Sequence, residues 1–268
     1  MGKTEMAIMN MRLGAGPTAA PAPEPQVDEA TAPRTDAWEM LDRLSLDPRR
    51  LAQNRIVSAG RVDPAHVAFD LLRTRLMQAL SARGWSRVAI TSPTKGCGKT
   101  FVAANLALSF ARRPSLRTVL MDLDLRIPNL ANVLGVRDAG RMADFLGGRA
   151  GVQDHMRKLA PNLAVGLNAK PVYDSAELIQ EPATALALDA MRETLRPDLV
   201  LYDLPPTLAC DDVIAFLPQV DGVLLVVGGG LTKAEDVRTC ERLFADQVPL
   251  LGVILNKSDD PVLEPYYA

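Results

Sequence analysis

From residue 86 onward, short apolar runs alternate with longer stretches of helical periodicity. The runs are SRVAIT, RTVLMD, LAVGL, DLVLYD, DGVLLVV and PLLGVILN. Each is rich in Val, Leu and Ile and only a few residues long, the signature of strands buried on both faces. Between them lie KTFVAANLALSFARR, AELIQEPATALALDAMRETL and KAEDVRTCERLFADQ, which are predicted helices. This order predicts an α/β fold with a mostly parallel sheet and helices on both faces. Upstream, residues 64–80 start with proline and place apolar residues at helical spacing, predicting a lead-in helix. Residues 36–45 suit a short amphipathic helix, and residues 47–57 are expected to be extended. Residues 14–35 are Pro- and Ala-rich and too poor in large apolar groups to offset chain entropy. The expected divisions are a disordered leader with a short helix over 1–50, one domain over 51–256, and a flexible tail over 257–268.

The chemistry begins between the first predicted strand and its helix, at TSPTKGCGKTF (91–101). Gly98-Lys99-Thr100 ends like a phosphate loop, although Pro93 stands where the G-x-x-x-x-G-K-[ST] template has glycine. The strand-loop-helix setting is what such a loop requires. Successive backbone N–H groups curl round phosphate, aided by the helix N-terminus. Gly96 and Gly98 supply backbone angles closed to other residues. Lys99 reaches the β- and γ-phosphates, and the Thr100 hydroxyl ligates Mg²⁺. Pro93 lies at the mouth of the loop, where a fixed φ is tolerated. The nucleotide-binding set is Thr94, Lys95, Gly96, Cys97, Gly98, Lys99, Thr100 and Phe101, and Cys97 reads as a small residue in a variable slot. Together these features place the chain in the P-loop NTPase fold class.

Two strands end in acid. TVLMDLDLRIP carries Asp122 and Asp124 on one side of the chain at the carboxyl edge of the sheet. Open α/β sheets bind ligands at that edge. DLVLYDLPP ends in Asp203 after an apolar run, the pattern of a magnesium-holding carboxylate. A single aspartate there is more readily a helix cap or a turn residue, but three at strand ends point to a magnesium role for at least one. Thr100, Asp122 and Asp203 are the candidate metal ligands. Asn256 ends the last strand; its amide suits an adenine edge, with a turn asparagine as the alternative. Arg126 meets either phosphate or an acidic neighbour, and Tyr173 and Tyr202 are expected to pack.

Composition narrows the partners. The 268 residues are 48% hydrophobic, enough for one sizeable domain, and the net charge is −2 with pI ≈ 5.8. No overall basic field recruits nucleic acid. Three cysteines and two histidines argue against a disulfide scaffold or a Cys/His metal cluster, and for a cytoplasmic protein. No apolar run approaches the roughly 20 residues that span a bilayer.

KGCGKT, LMDLDLR and LYDLPP, in that order, resemble a branch of phosphate-loop ATPases that includes the chromosome-partitioning and septum-positioning ATPases. Within it, residues 60–268 look most like the cytoplasmic tyrosine kinases of capsule and exopolysaccharide operons. Asp-x-Asp-x-Arg-x-Pro at 122–128 resembles that family's second Walker motif, DLPPTLACDD its Walker B segment, and LRTRL its helix before the kinase core. The resemblance implies an ATP- and Mg²⁺-dependent tyrosine autokinase that regulates polysaccharide polymerisation and export. Lys99, Asp122, Asp124 and Asp203 would be catalytic. Asp122 would accept or orient the tyrosine proton, and Asp124 would assist through Mg²⁺ or its waters. Tyr266 and Tyr267 would be phosphoacceptors. Tyr266 lies ten residues past Asn256, so an extended tail spans at most roughly 35 Å, enough for its own site or a neighbour's.

The family further implies a membrane chain-length-determinant or export protein as activator, recruitment to the inner membrane face, and a homo-oligomer. Its oligomerising helix carries Glu-x-x-Arg-x-x-Arg, whereas the aligned positions here are Val67, Asp70 and Arg73. That departure leaves two alternatives, a partitioning-type ATPase switch and a non-catalytic ATP-binding partner in export. The partitioning signature lysine is one place out, since Lys95 directly precedes Gly96.

Overall fold

The computed structural model describes residues 5–7, 36–59 and 65–258. The strands are β1 (Glu5–Ala7), β2 (Arg87–Thr91), β3 (Thr118–Asp122), β4 (Arg157–Ala160), β5 (Leu163–Gly166), β6 (Leu199–Asp203), β7 (Gly222–Gly228) and β8 (Leu250–Ser258). They form one sheet in the order β1-β8-β7-β2-β6-β3-β5-β4. All contacts from β8 to β5 are parallel, and the outer pairs β1/β8 and β4/β5 are antiparallel. The helices are α1 (Asp36–Glu39), α2 (Pro48–Gln53), α3 (His66–Ser81), α4 (Lys99–Ala111), α5 (Leu130–Leu134), α6 (Met142–Leu146), α7 (Val152–His155), α8 (Ser175–Gln180), α9 (Pro182–Leu195), α10 (Asp212–Phe216) and α11 (Ala234–Phe244).

Strand periodicity sorts the apolar residues between two cores. Val88, Ile90, Leu120, Leu201 and Leu224 face α3 and α4, where Phe69, Leu72, Val102 and Leu106 meet them. Ala89, Val119, Met121, Val200 and Leu225 face the other way, onto Leu188, Met191, Phe216 and Phe244. Burying each large apolar side chain contributes about 1.5–3 kcal/mol relative to exposure, so each face holds its own helices. All six predicted strands and a two-faced parallel sheet are present.

Four expectations change. Residues 48–53 are helical, not extended, because Asp47 accepts from the Arg49 N–H as an N-cap and Pro48 opens the helix. The packed body begins before residue 51: Trp38 is 1% exposed and donates its indole N–H to the Pro161 carbonyl. One large aromatic anchors a segment whose average composition is polar. The long helix predicted over 176–195 is two, because Pro182 lacks an N–H and forces Glu181 into an extended conformation. Tyr173 does not pack, being 92% exposed.

Tyr202 does pack, edge-to-face on Phe216 at 4.9 Å, and burial pushes its hydroxyl up to about 12. The tail tyrosines Tyr266 and Tyr267, and residues 14–35 of the leader, lie outside the described residues.

Candidate nucleotide site

The sheet register brings the acids together. β6 lies between β2 and β3, with Asp203 opposite Ile90 on one side and Asp122 on the other. Strands in a sheet are about 4.8 Å apart, so the two carboxylates are immediate neighbours at the carboxyl edge. The loop from Ser92 to Gly98 leaves β2 at that edge and feeds directly into α4.

That loop has the conformation a phosphate cradle needs. Gly96 and Gly98 have φ of +84° and +89°, the left-handed region that other residues avoid. Gly96 has open space where a side chain would be. A Cβ on Gly98 would lie 2.2 Å from Nδ2 of Asn256, so this glycine is fixed by packing as well as by backbone angle. Pro93 is buried, and its carbonyl accepts from the Leu208 N–H at 3.1 Å. The Ser92 carbonyl likewise accepts from Thr207 at 2.8 Å. The segment after β6 thus braces the loop through carbonyls, which proline retains.

Lys99 stands at the centre of the charges. Its ammonium lies 2.9 Å from Asp124 and 3.1 Å from Asp203, and donates to the Thr100 hydroxyl at 3.1 Å. Lys99 and Thr100 are 8% and 7% exposed, Asp124 6%, Asp122 and Asp203 fully buried. Burial alone would discharge the lysine, but Asp203, Asp124 and Asp122 more than offset that and raise its pKa. Burial drives Asp122 well above the usual carboxylate range, repulsion from Asp203 adds to the rise, and the Leu130 N–H and Lys99 pull against it. Asp203 is raised by burial despite its lysine partner.

The cluster is short of partners. Asp122 Oδ2 accepts from the Leu130 N–H at 3.0 Å, while Asp122 Oδ1 and Asp203 Oδ2 are buried with no hydrogen bond. Such orphaned oxygens are costly and call for a ligand. Carboxylate and hydroxyl oxygens are hard donors suited to Mg²⁺. No group of three or more His, Cys, Asp and Glu side chains among the described residues is arranged to hold a metal alone. Magnesium binds through one or two protein oxygens plus phosphate and water.

The other predicted residues divide. Asn256 is within β8, not in a turn; its Nδ2 donates to the Cys97 carbonyl at 2.8 Å and its Oδ1 is buried without a partner. Cys97 is buried against Thr94 and Thr232, as a small residue in a tight slot. Lys95 is exposed at the loop tip, and Thr94 and Phe101 are half-buried. Arg126 meets acid rather than the phosphate loop, binding Asp212 at 2.7 Å and Asp211 at 3.4 Å. Sequence reasoning missed Thr232, whose hydroxyl accepts from the Gly228 N–H at 3.0 Å and touches Cys97. Its link to the loop arises only because β7 lies beside β2.

These features define a phosphate-loop nucleotide-binding domain. The chain belongs to the family of the CobQ/CobB/MinD/ParA nucleotide binding domain, whose sequence profile matches residues 88–266. Among curated proteins it is 31% identical over 232 residues to the putative tyrosine-protein kinase EpsB of Ralstonia solanacearum, covering 86% of this chain and 30% of that one. It is 29% identical over 197 residues to the tyrosine-protein kinase YwqD of Bacillus subtilis, covering 70% and 79%. The kinase domain of the Escherichia coli tyrosine kinase ETK superposes with a TM-score of 0.70 at 26% identity, over 80% of this chain and 84% of that one. The chain spans less than a third of the length of the EpsB relatives. No helix among the described residues is long and apolar enough to cross a membrane.

Proposed function

We propose that the chain is an ATP-dependent protein tyrosine kinase of the exopolysaccharide type that phosphorylates Tyr266 and Tyr267. The observation that carries this reading is the buried cluster of one ammonium and three carboxylates beneath the phosphate loop, with two carboxylate oxygens unpaired. Likeness to the kinases EpsB, YwqD and ETK supports the choice of reaction.

Binding of ATP takes Lys99 off Asp124 and Asp203 and onto the β- and γ-phosphate oxygens. Thr100 and Asp203 are the residues that would hold Mg²⁺, with Asp122 beside them. When bound, Mg²⁺ would supply charge neutralisation for the phosphates. Asp122 receives the phenol proton as the tyrosine oxygen bonds to the γ-phosphorus and ADP leaves. The unpaired Asn256 Oδ1 suits an adenine amine.

A cytoplasmic segment of a membrane export protein would serve as activator and hold the kinase at the membrane's inner face. A second reading, a nucleotide-binding partner without transfer between copies, is favoured by one feature. Asp70 and Arg73, at two of the three positions where the family's oligomerising motif aligns, bond to each other within this chain.

Incubation with labelled MgATP tests the proposal. Phosphotyrosine that disappears in Tyr266→Phe/Tyr267→Phe and in Lys99→Met supports it. Binding without any labelled protein rejects it in favour of the second reading.

A further inference from the structure

Tyr173 is 92% exposed, a high value for a large aromatic side chain and the highest among the exposed large hydrophobic residues described. It is not on a loose loop. The preceding Val172 is half-buried against the second core, and its N–H donates to the Leu125 carbonyl at 2.8 Å. Two residues later, the buried Ser175 hydroxyl donates to Asp212 at 2.6 Å. The backbone is therefore held on both sides of Tyr173, and the ring is presented to solvent.

The place is informative. Leu125 follows Asp124, so Tyr173 stands at the carboxyl edge of the sheet, beside the segment that carries Asp122 and Asp124. Asp212, which anchors Ser175, also holds Arg126. Arg126 has a second acidic contact, with Asp211, at 3.4 Å and with Asp211 74% exposed. Such a surface contact is worth little and is readily exchanged. A phosphate dianion nearby would compete for that guanidinium, which suits phosphate geometry.

We propose that Tyr173 is a phosphoacceptor, phosphorylated by a second copy of the chain. This rests on the kinase reading above. The ring is held out in solvent by a segment fixed on both sides, so the site of a second copy can reach it. The Tyr173 oxygen bonds to the γ-phosphorus of ATP held by the donor copy. The bond from that phosphorus to the β,γ-bridging oxygen breaks, ADP leaves, and the phenol proton passes to the donor's Asp122. The phosphotyrosine so formed draws Arg126 from Asp211 and ties residues 172–175 to the strap after β3.

The test uses two full-length variants with MgATP. The acceptor carries Lys99→Met, Tyr266→Phe and Tyr267→Phe, so it has no transfer chemistry and keeps Tyr173 as its exposed tyrosine among the described residues. The donor carries Tyr173→Phe. Phosphotyrosine on the acceptor, mapped by mass spectrometry to Tyr173 and lost when Tyr173→Phe is added, is the expected result. Label on the donor's tail with none on the acceptor overturns this inference and leaves the kinase reading intact. No phosphotyrosine on either chain, with MgATP binding to the donor still measurable by calorimetry, overturns both.

Discussion

Two ionic clusters in this molecule have opposite stoichiometry. Under the phosphate loop, one ammonium, Lys99, lies among three carboxylates and pairs with two of them, and two carboxylate oxygens have no partner. In the seam between α3 and α4, one carboxylate, Asp70, serves two guanidinium groups. Asp70 Oδ1 accepts from Arg73 at 2.8 Å, from Arg112 and from the Ser109 hydroxyl at 2.8 Å. Arg73 also bonds the Ser109 carbonyl at 2.8 Å and Arg112 the Ser58 carbonyl at 3.0 Å. The second cluster is a fastener that holds a helix to a helix. The first is less stable on its own than a saturated cluster, because buried charge without a partner is expensive. Excess negative charge that is buried, converging and unpaired is what a cation and a phosphate chain would resolve.

The largest effect should come from Lys99→Met, which removes the buried ammonium that lies among the acids. MgATP affinity is expected to fall about 100-fold, or ~2.7 kcal/mol, by calorimetry. A change under about threefold would mean the lysine is held for the acids rather than for phosphate. Asp70→Ala strikes the saturated cluster and should do the reverse. It leaves two guanidinium groups without their carboxylate in a partly exposed seam, so stability to urea should fall by about 1–2 kcal/mol. Its MgATP affinity should stay at the wild-type value, and a shift there would join the two clusters.

Asp122→Asn sharpens the contrast by relieving the unsaturated cluster. The Leu130 N–H keeps an oxygen to bond, and the repulsion with Asp203 ends. Nucleotide-free protein should gain about 1 kcal/mol of stability while tyrosine phosphorylation falls away. The pH dependence follows from the same cause. Folded Asp122 and Asp203 titrate above their unfolded range, so the folded state binds more protons. The contribution of these two groups is fully present below about pH 4 and is lost as pH rises through the raised values. The Asn variant should show a shallower loss, and an unchanged slope would place the repulsion elsewhere. The smallest effect belongs to Asp189→Ala. Its partner Arg192 is one turn away on the surface of α9, and removing it should change stability by less than about 0.5 kcal/mol.

The unsaturated cluster was largely legible in the sequence, and the saturated one was not. Asp122 and Asp203 end apolar runs, and a parallel sheet sends such ends to one edge, so their meeting follows from pattern alone. Gly96 and Gly98 announced the loop because no other residue type adopts their angles readily. The Asp70 fastener needs α3 docked on α4, which no local spacing encodes. In the sequence, Asp70 and Arg73 instead looked like a departure from an assembly motif, in which only Arg73 matched. β4 was missed because RKLA has no apolar alternation. Its Lys158 is 2% exposed and neutralised by Glu39 at 2.8 Å, a pairing across more than a hundred residues. Pro182 did carry its signal, and the long apolar period around it concealed the break.

The central claim is that the acids and Lys99 form a magnesium-nucleotide site. Calorimetric titration of the full chain with ATP, with and without Mg²⁺, tests it most directly. The account predicts saturable binding that weakens at least about tenfold, or ~1.4 kcal/mol, when EDTA replaces the metal, with the difference abolished in Asp203→Asn. Equal affinity with and without Mg²⁺, or no heat in either titration, would contradict it.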